Sequence, residues 1–270
     1  MAAVGMRYAS MLAAAALLCS PIATSMAGAT PPPKHNPPKS IYLALGDSSA
    51  FGFQLGKFLQ NLPAEDAAAF NTGYVDRFAR YLRAIKPRIQ TINLSCNDET
   101  TDSFLGLELC NYHALFPLHT DYSGPQIDAA LDVLRTHRGQ VSPITINIGG
   151  ADLGRGRSLD HIQANLSRIL ARLRKAAPYS EIIVLGYHNP FVVTVPGSDP
   201  LARDFNAHLA AAAAEHRAEF VNPLPVFNPP VDEIATICRL TGMCTPLQDT
   251  HPSDAGYQKL ADLLLAASGY

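Results

Sequence analysis

The stretch Ile41-Tyr42-Leu43-Ala44-Leu45-Gly46-Asp47-Ser48 decides the fold. Its first residues form an unbroken apolar run, short enough for a strand and apolar enough to be buried on both faces, as strands in a parallel sheet are. A Gly-Asp-Ser triplet closes it. In open parallel sheets the crevice used for chemistry lies outside the carboxyl ends of the strands, which is where Ser48 stands. A serine hydroxyl becomes a good nucleophile when a base takes its proton, and a histidine base needs a partner to fix its tautomer. Asp249 and His251, close to the C-terminus, supply those two groups. Joining them to Ser48 requires a fold that returns its last segment to the edge where its first strand ends.

Similar apolar runs mark strands at Ile89 to Leu94, Ile144 to Ile148, Ile182 to Leu185 and, shorter, Phe220-Val221. Between them apolar residues recur at helical spacing: Val75, Phe78, Ala79, Leu82 and Ile85; then Ile127, Ala130, Leu131 and Leu134; then Ile162, Leu166, Ile169 and Leu173. Two further helices are expected, from Asp204 to Arg217 and from about Asp254 to Ala267. Strand–helix alternation of this kind predicts an α/β domain of three α/β/α layers, with a doubly wound, flavodoxin-like parallel sheet of about five strands. The connection from Cys96 to Ser123 breaks the pattern. It carries Phe104, Leu105, Leu107, Leu109, Tyr112, Leu115 and Phe116, too apolar for a solvated loop. It reads either as a lid or acyl-binding wall, or as a short helix with a small core of its own.

The chain has 270 residues, 47% of them hydrophobic, enough for one domain spanning 41–270. A net charge of -2 without a long basic run argues against nucleic acid as a partner. Residues 1–29 read as an export signal, with Arg7 ahead of an apolar core from Met11 to Leu18 and small residues at Ala27-Gly28-Ala29 or Ser25-Met26-Ala27 for cleavage. That core is short for a bilayer, so no stable membrane span and a secreted or extracytoplasmic protein are expected. An uncleaved anchor and an acylated Cys19 are the other readings of this segment. Residues 30–40, with Pro31-Pro32-Pro33 and Pro37-Pro38, read as an extended linker that packs against nothing. Export implies an oxidising compartment, and four cysteines beyond the signal allow three pairings. The sequence-local one, Cys96–Cys110 with Cys238–Cys244, is favoured, the first bridge being worth about 3 kcal/mol in loop-closure entropy. Neither pair has the C-x-x-C spacing of a zinc site, so no metal is expected.

Four segments carry a family resemblance. Gly46-Asp47-Ser48, Asn93 to Thr101 (NLSCNDETT), Ile148 to Leu153 (IGGADL) and Asp249 to Tyr257 (DTHPSDAGY) resemble, in order and in placement at strand ends, the blocks of the SGNH/GDSL hydrolase superfamily. The resemblance is greatest to its secreted bacterial esterase and lipase-like members. It implies that Ser48 is the nucleophile, His251 the general base and then acid, and Asp249 the group orienting the imidazole. It also implies an acyl-enzyme route on a small-molecule ester, an acyl lipid or an acetylated sugar, by a cofactor-free monomer. The Gly-x-Ser-x-Gly elbow of the other large esterase fold is absent from the sequence.

Three positions depart from the family pattern. Asp98 stands where the second block usually has a glycine whose N–H faces the oxyanion. Ala151 replaces the asparagine donor of the third block. Gln248 occupies the position three before the histidine that often holds the acid, which leaves Asp249, two before. The oxyanion hole is therefore expected from Ser48 and Asp98 backbone N–H groups, with Asn97 as a replacement donor. A carboxylate beside an oxyanion is unfavourable unless it turns away or finds a cation. Arg155 and Arg157 could partner Asp98 or could simply be solvated. The substrate cleft is expected to be walled by Phe51, Phe104, Tyr187 and Phe191. An altered oxyanion hole leaves a second class open, a catalytically impaired lipid- or carbohydrate-binding module, and a third, an exported structural protein retaining the fold.

Overall fold

The computed structural model describes residues 37–62 and 66–270; the segment expected to be an export signal, Cys19 and most of the proline-rich stretch lie outside the described residues. The order runs β1 (Ile41–Gly46), α1 (Ser48–Phe51), α2 (Leu55–Gln60), α3 (Tyr74–Ile85), β2 (Gln90–Asn93), α4 (Thr101–Phe104), α5 (Gln126–Thr136), β3 (Val141–Asn147) and α6 (Gly150–Gly154). It continues through α7 (Leu159–Ala176), β4 (Ile182–Leu185), α8 (Asp199–Glu215), β5 (Glu219–Val221), α9 (Leu224–Phe227), α10 (Glu233–Leu240), β6 (Thr241–Gly242), β7 (Asp249–Pro252) and α11 (Asp254–Ser268). The helix expected from Asp204 starts earlier, at Asp199, with Pro200 in its first turn, where a missing N–H costs no hydrogen bond.

Five parallel strands pair in the order β2-β1-β3-β4-β5. Successive side chains on a strand point to opposite faces, and β1 divides accordingly. Ile41, Leu43 and Leu45 join Ile144, Ile146, Ile182 and Val184 under α5, α7 and α8. Tyr42 and Ala44 join Ile183 and Leu185 under α3, α10 and α11. The three layers follow from this two-sided burial. The strand order reverses between β1 and β3, and that switch point opens a crevice at the carboxyl edge.

The tail of the linker does not hang free as expected. Pro38 is buried and the Lys39 N–H donates to the Ser142 carbonyl at 2.9 Å, because the backbone entering β1 already lies alongside β3. The Cys96 to Ser123 connection holds both a short helix, α4, and a third apolar cluster. Phe51, Phe53, Phe70, Tyr112 and Leu118 are buried there, with Phe58 and Phe116 against them. The Cys96–Cys110 and Cys238–Cys244 disulfides both form; the first ties the base of that connection, the second the turn ahead of β7.

Candidate active site

A cleft of about 910 Å³ opens at the carboxyl edge of the sheet, and Ser48, Asn97, Asp98, Ala151, Tyr187 and His251 all line it. Ser48 begins α1 directly after the Gly46-Asp47 turn. Gly46 has φ 128°, and a Cβ there would sit 2.0 Å from the Asn147 carbonyl oxygen. Only glycine lets β1 approach β3 this closely while turning the chain toward the nucleophile. Asp47 caps α1, accepting from the Ser49 N–H at 3.1 Å. Among the described residues the Ser48 and Asp98 N–H groups have no partner within the chain, and neither does the Asn97 carboxamide. All three residues line the cleft.

His251 and Asp249 come from β7, and Asp249 is held from both sides. Its Oδ1 accepts from His251 Nδ1 at 2.6 Å and from the His251 N–H at 3.1 Å, while Oδ2 accepts from the Leu55 N–H at 2.8 Å. Burial alone would raise the Asp249 pKa. The hydrogen bonds and charge of His251, with the Leu55 N–H, outweigh it and hold the carboxyl below the usual carboxylate range. An anion at that place fixes the proton on Nδ1 and leaves Nε2 as the acceptor. Phe53 packs edge-on against the imidazole with ring centroids 4.9 Å apart. Ser48 and His251 face the same cleft, without a direct hydrogen bond between them among the described residues; such contacts often tighten only when substrate binds.

Beneath the cleft lies a layer of buried acids. Asp47 is pushed up to about 7 by burial, against the Tyr187 hydroxyl and the Ser49 N–H that donate to it. Tyr187 reaches it by crossing Gly150, where a Cβ would lie 2.8 Å from the ring. Asp152, also raised by burial, accepts from the Thr101 N–H at 2.8 Å and from its hydroxyl at 2.6 Å. Those bonds lock the start of α4 onto α6, and so the Asn97-Asp98 loop onto the Gly150-Ala151 turn. Glu99 bonds Ser103 and Gln126, and the Gln126 amide in turn holds Gly46 at its N–H (2.7 Å) and carbonyl (3.0 Å).

Two expected cleft residues are elsewhere. Phe51, at the end of α1, turns away into the third cluster, its ring 5.2 Å from Phe70 and 5.3 Å from Tyr112. Phe104 ends α4 facing the sheet, fully buried with Leu94 and Ile127. Tyr187 and Phe191 do line the cleft, joined by residues the sequence did not single out for it: Phe53, Leu153, His188, Val195, Leu201 and Phe205. Tyr112, Leu115 and Phe116 of the long connection form part of the wall. Burial, followed by the charge of His251, holds His188 down at about 4 despite its bond to the Thr250 carbonyl. It is a neutral imidazole bracing the backbone beside His251. His113 pairs with Asp121 and His119 bonds the Phe51 carbonyl, both outside the cleft lining. His208 and His216 go to different partners, Asp204 and Ser167. Arg155 pairs with Asp98 and Glu108, and Arg157 with Asp102 and Glu108.

Residues 44–259 match the GDSL-like Lipase/Acylhydrolase family. The chain belongs to this family. Among curated proteins none matches significantly. Solved structures of the same fold include a chain provisionally named a GDSL-like lipase from Parabacteroides merdae, at 17% identity and TM-score 0.60, covering 88% of this chain and 99% of that one. Axe2, an acetylxylan esterase from Geobacillus stearothermophilus, is similar at 18% identity and TM-score 0.56, covering 86% of this chain and 94% of its own. The lipase Lip_vut3 from a goat rumen metagenome is similar at 19% identity and TM-score 0.54, over 84% and 96%. As a GDSL-family protein the chain is a hydrolase of the SGNH type with ester bonds as its substrates.

Proposed function

We propose that this GDSL-family protein is an exported serine esterase that hydrolyses apolar acyl esters through an acyl-enzyme. The observation that carries the reading is the convergence of Ser48, its unpartnered N–H and the Asp249-fixed His251 on one cleft. Ser48 Oγ attacks the ester carbonyl as His251 Nε2 takes its proton. The negative oxygen that develops is met by the N–H groups of Ser48 and Asp98 and the carboxamide of Asn97. His251 then returns the proton to the leaving alcohol, and a water repeats the sequence to release the acid.

The apolar acyl group follows from the walls. Phe53, Tyr112, Phe116 and Phe205 line the cleft, and Leu115 and Phe191, 73% and 49% exposed, stand at it with apolar surface in water. Covering such surface with an acyl chain gains roughly 25 cal/mol per Å². Export rests on the signal pattern of residues 1–29 and agrees with the two disulfides.

A fluorophosphonate probe should label the protein at Ser48, and Ser48→Ala should abolish both labelling and ester turnover. On p-nitrophenyl esters, kcat/KM should rise from acetyl toward octanoyl. Labelling elsewhere refutes the nucleophile; a preference for acetylated sugars over every longer acyl ester refutes the substrate class.

A further inference from the structure

We infer that Arg155 is a positioning residue for the oxyanion side of the cleft, an inference that rests on the serine-esterase reading above. It holds Asp98 in a turn that would otherwise call for glycine. Asp98 has φ 65°, in the left-handed region that side chains with a Cβ disfavour and that glycine enters freely. Aspartate is among the few others that tolerate it. This loop must keep that turn if the Asp98 N–H is to serve as a donor, yet the residue brings a carboxylate to a place where negative charge develops. Arg155 addresses both difficulties. Its Nη2 lies 2.5 Å from Asp98 Oδ2 and 3.4 Å from the Asp98 carbonyl oxygen, so one guanidinium nitrogen grips side chain and backbone together.

The other arm of the same guanidinium, Nη1, reaches Glu108 Oε1 at 3.2 Å. Arg155 itself follows α6, whose Gly150 and Ala151 line the cleft. It therefore ties the end of α6 to two points of the long connection, the Asn97-Asp98 loop at its start and Glu108 further along. A planar fork with several fixed donors can hold two acceptors at once, which lysine cannot do with the same geometry. The guanidinium offsets the charge of the Asp98 carboxylate, which weakens its repulsion of a forming oxyanion. Arg155 and Asp98 are 32% and 51% exposed. Exposed pairs contribute little to stability, so loss of this one should be read in catalysis and not in folding.

The test is steady-state kinetics on an octanoyl ester for wild type, Arg155→Met and that variant combined with Asp98→Gly, Asp98→Asn or Asp98→Ala. Arg155→Met should lower kcat at least tenfold, approaching the hundredfold scale of one lost donor. KM should stay within about twofold and Tm should be unchanged. Adding Asp98→Gly or Asp98→Asn should restore most of kcat, because both accept the left-handed turn without a negative charge. Asp98→Ala, which removes the charge but not the conformational cost, should restore clearly less. An unchanged kcat in Arg155→Met overturns the inference, as does a loss that neither glycine nor asparagine repairs. A large fall in Tm would make the role one of stability and overturns it too. Phosphonate labelling separates the two levels: a wild type labelled at Ser48 whose kcat ignores Arg155 refutes this inference alone. A wild type not labelled there refutes the serine-esterase reading and this inference with it.

Discussion

Asp249→Asn tests the orienting role most sharply, because every bond of that carboxylate is accounted for. Oδ1 takes two N–H groups of His251 and Oδ2 takes the Leu55 N–H at 2.8 Å. An asparagine has the same shape but only one acceptor oxygen. If its oxygen faces His251, its NH₂ meets the Leu55 N–H, donor against donor, and an unsatisfied buried donor costs about 1–3 kcal/mol. If its NH₂ faces His251 instead, the imidazole must give up the Nδ1 proton and carry it on Nε2. That tautomer has no lone pair for the Ser48 proton. Each arrangement keeps two bonds and sets one N–H against the NH₂, that of Leu55 in the first and that of the His251 backbone in the second. The second gives the wrong tautomer and both lose the negative charge that stabilises the imidazolium, so the variant should fold and bind but deprotonate Ser48 poorly. The expected loss in kcat is on the order of 10³- to 10⁴-fold, with KM changed by no more than about twofold. Ester turnover and the rate of phosphonate labelling report the step, and circular dichroism reports the fold. A folded variant that loses less than about tenfold would refute the orienting role, since the wrong tautomer in one arrangement and the lost negative charge in both should each cost more than that.

Ala151→Asn should raise kcat, with about a hundredfold as its ceiling, since Ala151 lines the cleft where the family places an amide donor. A fall or no change would mean that the Ser48 and Asp98 N–H groups and Asn97 already complete the oxyanion hole. Stability should depend on pH through Glu99, which burial pushes from its ordinary 4.5 up to about 7 against the donors Ser103 and Gln126. Between those values the folded state keeps a proton that the unfolded chain releases. Stability therefore falls as pH rises through that window. Asp47 and Glu181 are also pushed up to about 7, so Glu99→Gln should reduce the fall of the urea midpoint with rising pH without abolishing it. An unchanged slope would refute the assignment.

The strands and the five long helices were legible because each rests on a period that needs no tertiary knowledge. Continuous apolar runs gave β1 to β5, and recurrence at helical spacing gave α3, α5, α7, α8 and α11. The family blocks then placed Ser48, Asp98, Ala151 and His251, and all four line one cleft. Elements too short to show a period were not legible. Helices α1, α6 and α9 span only four or five residues, and β6 only two. That limit also explains Phe51 and Phe104. Composition marked both as apolar, but each closes a single helical turn, and the direction of a side chain there depends on how the turn packs. Phe53, two residues beyond Phe51, has the place against His251 instead. The Arg155 pairing was nameable but not separable from solvation, since nothing local distinguishes an arginine in a glycine-rich turn that finds a partner from one that does not.

The nucleophile and base are 203 positions apart in sequence, so what keeps them in register is a short hydrogen-bonded seam that joins the segment after α1 to the last hairpin and to the helix α11 that follows it. Gln54 donates to the Pro252 carbonyl at 2.9 Å, the Leu55 N–H to Asp249 at 2.8 Å, and the Tyr257 hydroxyl to the Phe53 carbonyl at 2.7 Å. Tyr257, on α11, is fully buried in the core, and Phe53 belongs to the aromatic cluster that also walls the cleft. The seam thus joins the sheet's core to the substrate wall. Asp249 belongs to both parts: one oxygen fixes the His251 ring, and the other fixes the chain that leaves the nucleophile. A change that loosens this seam should therefore disturb the alignment of Ser48 with His251 even when it touches neither. The same bonds that close the fold set the distance on which proton transfer depends.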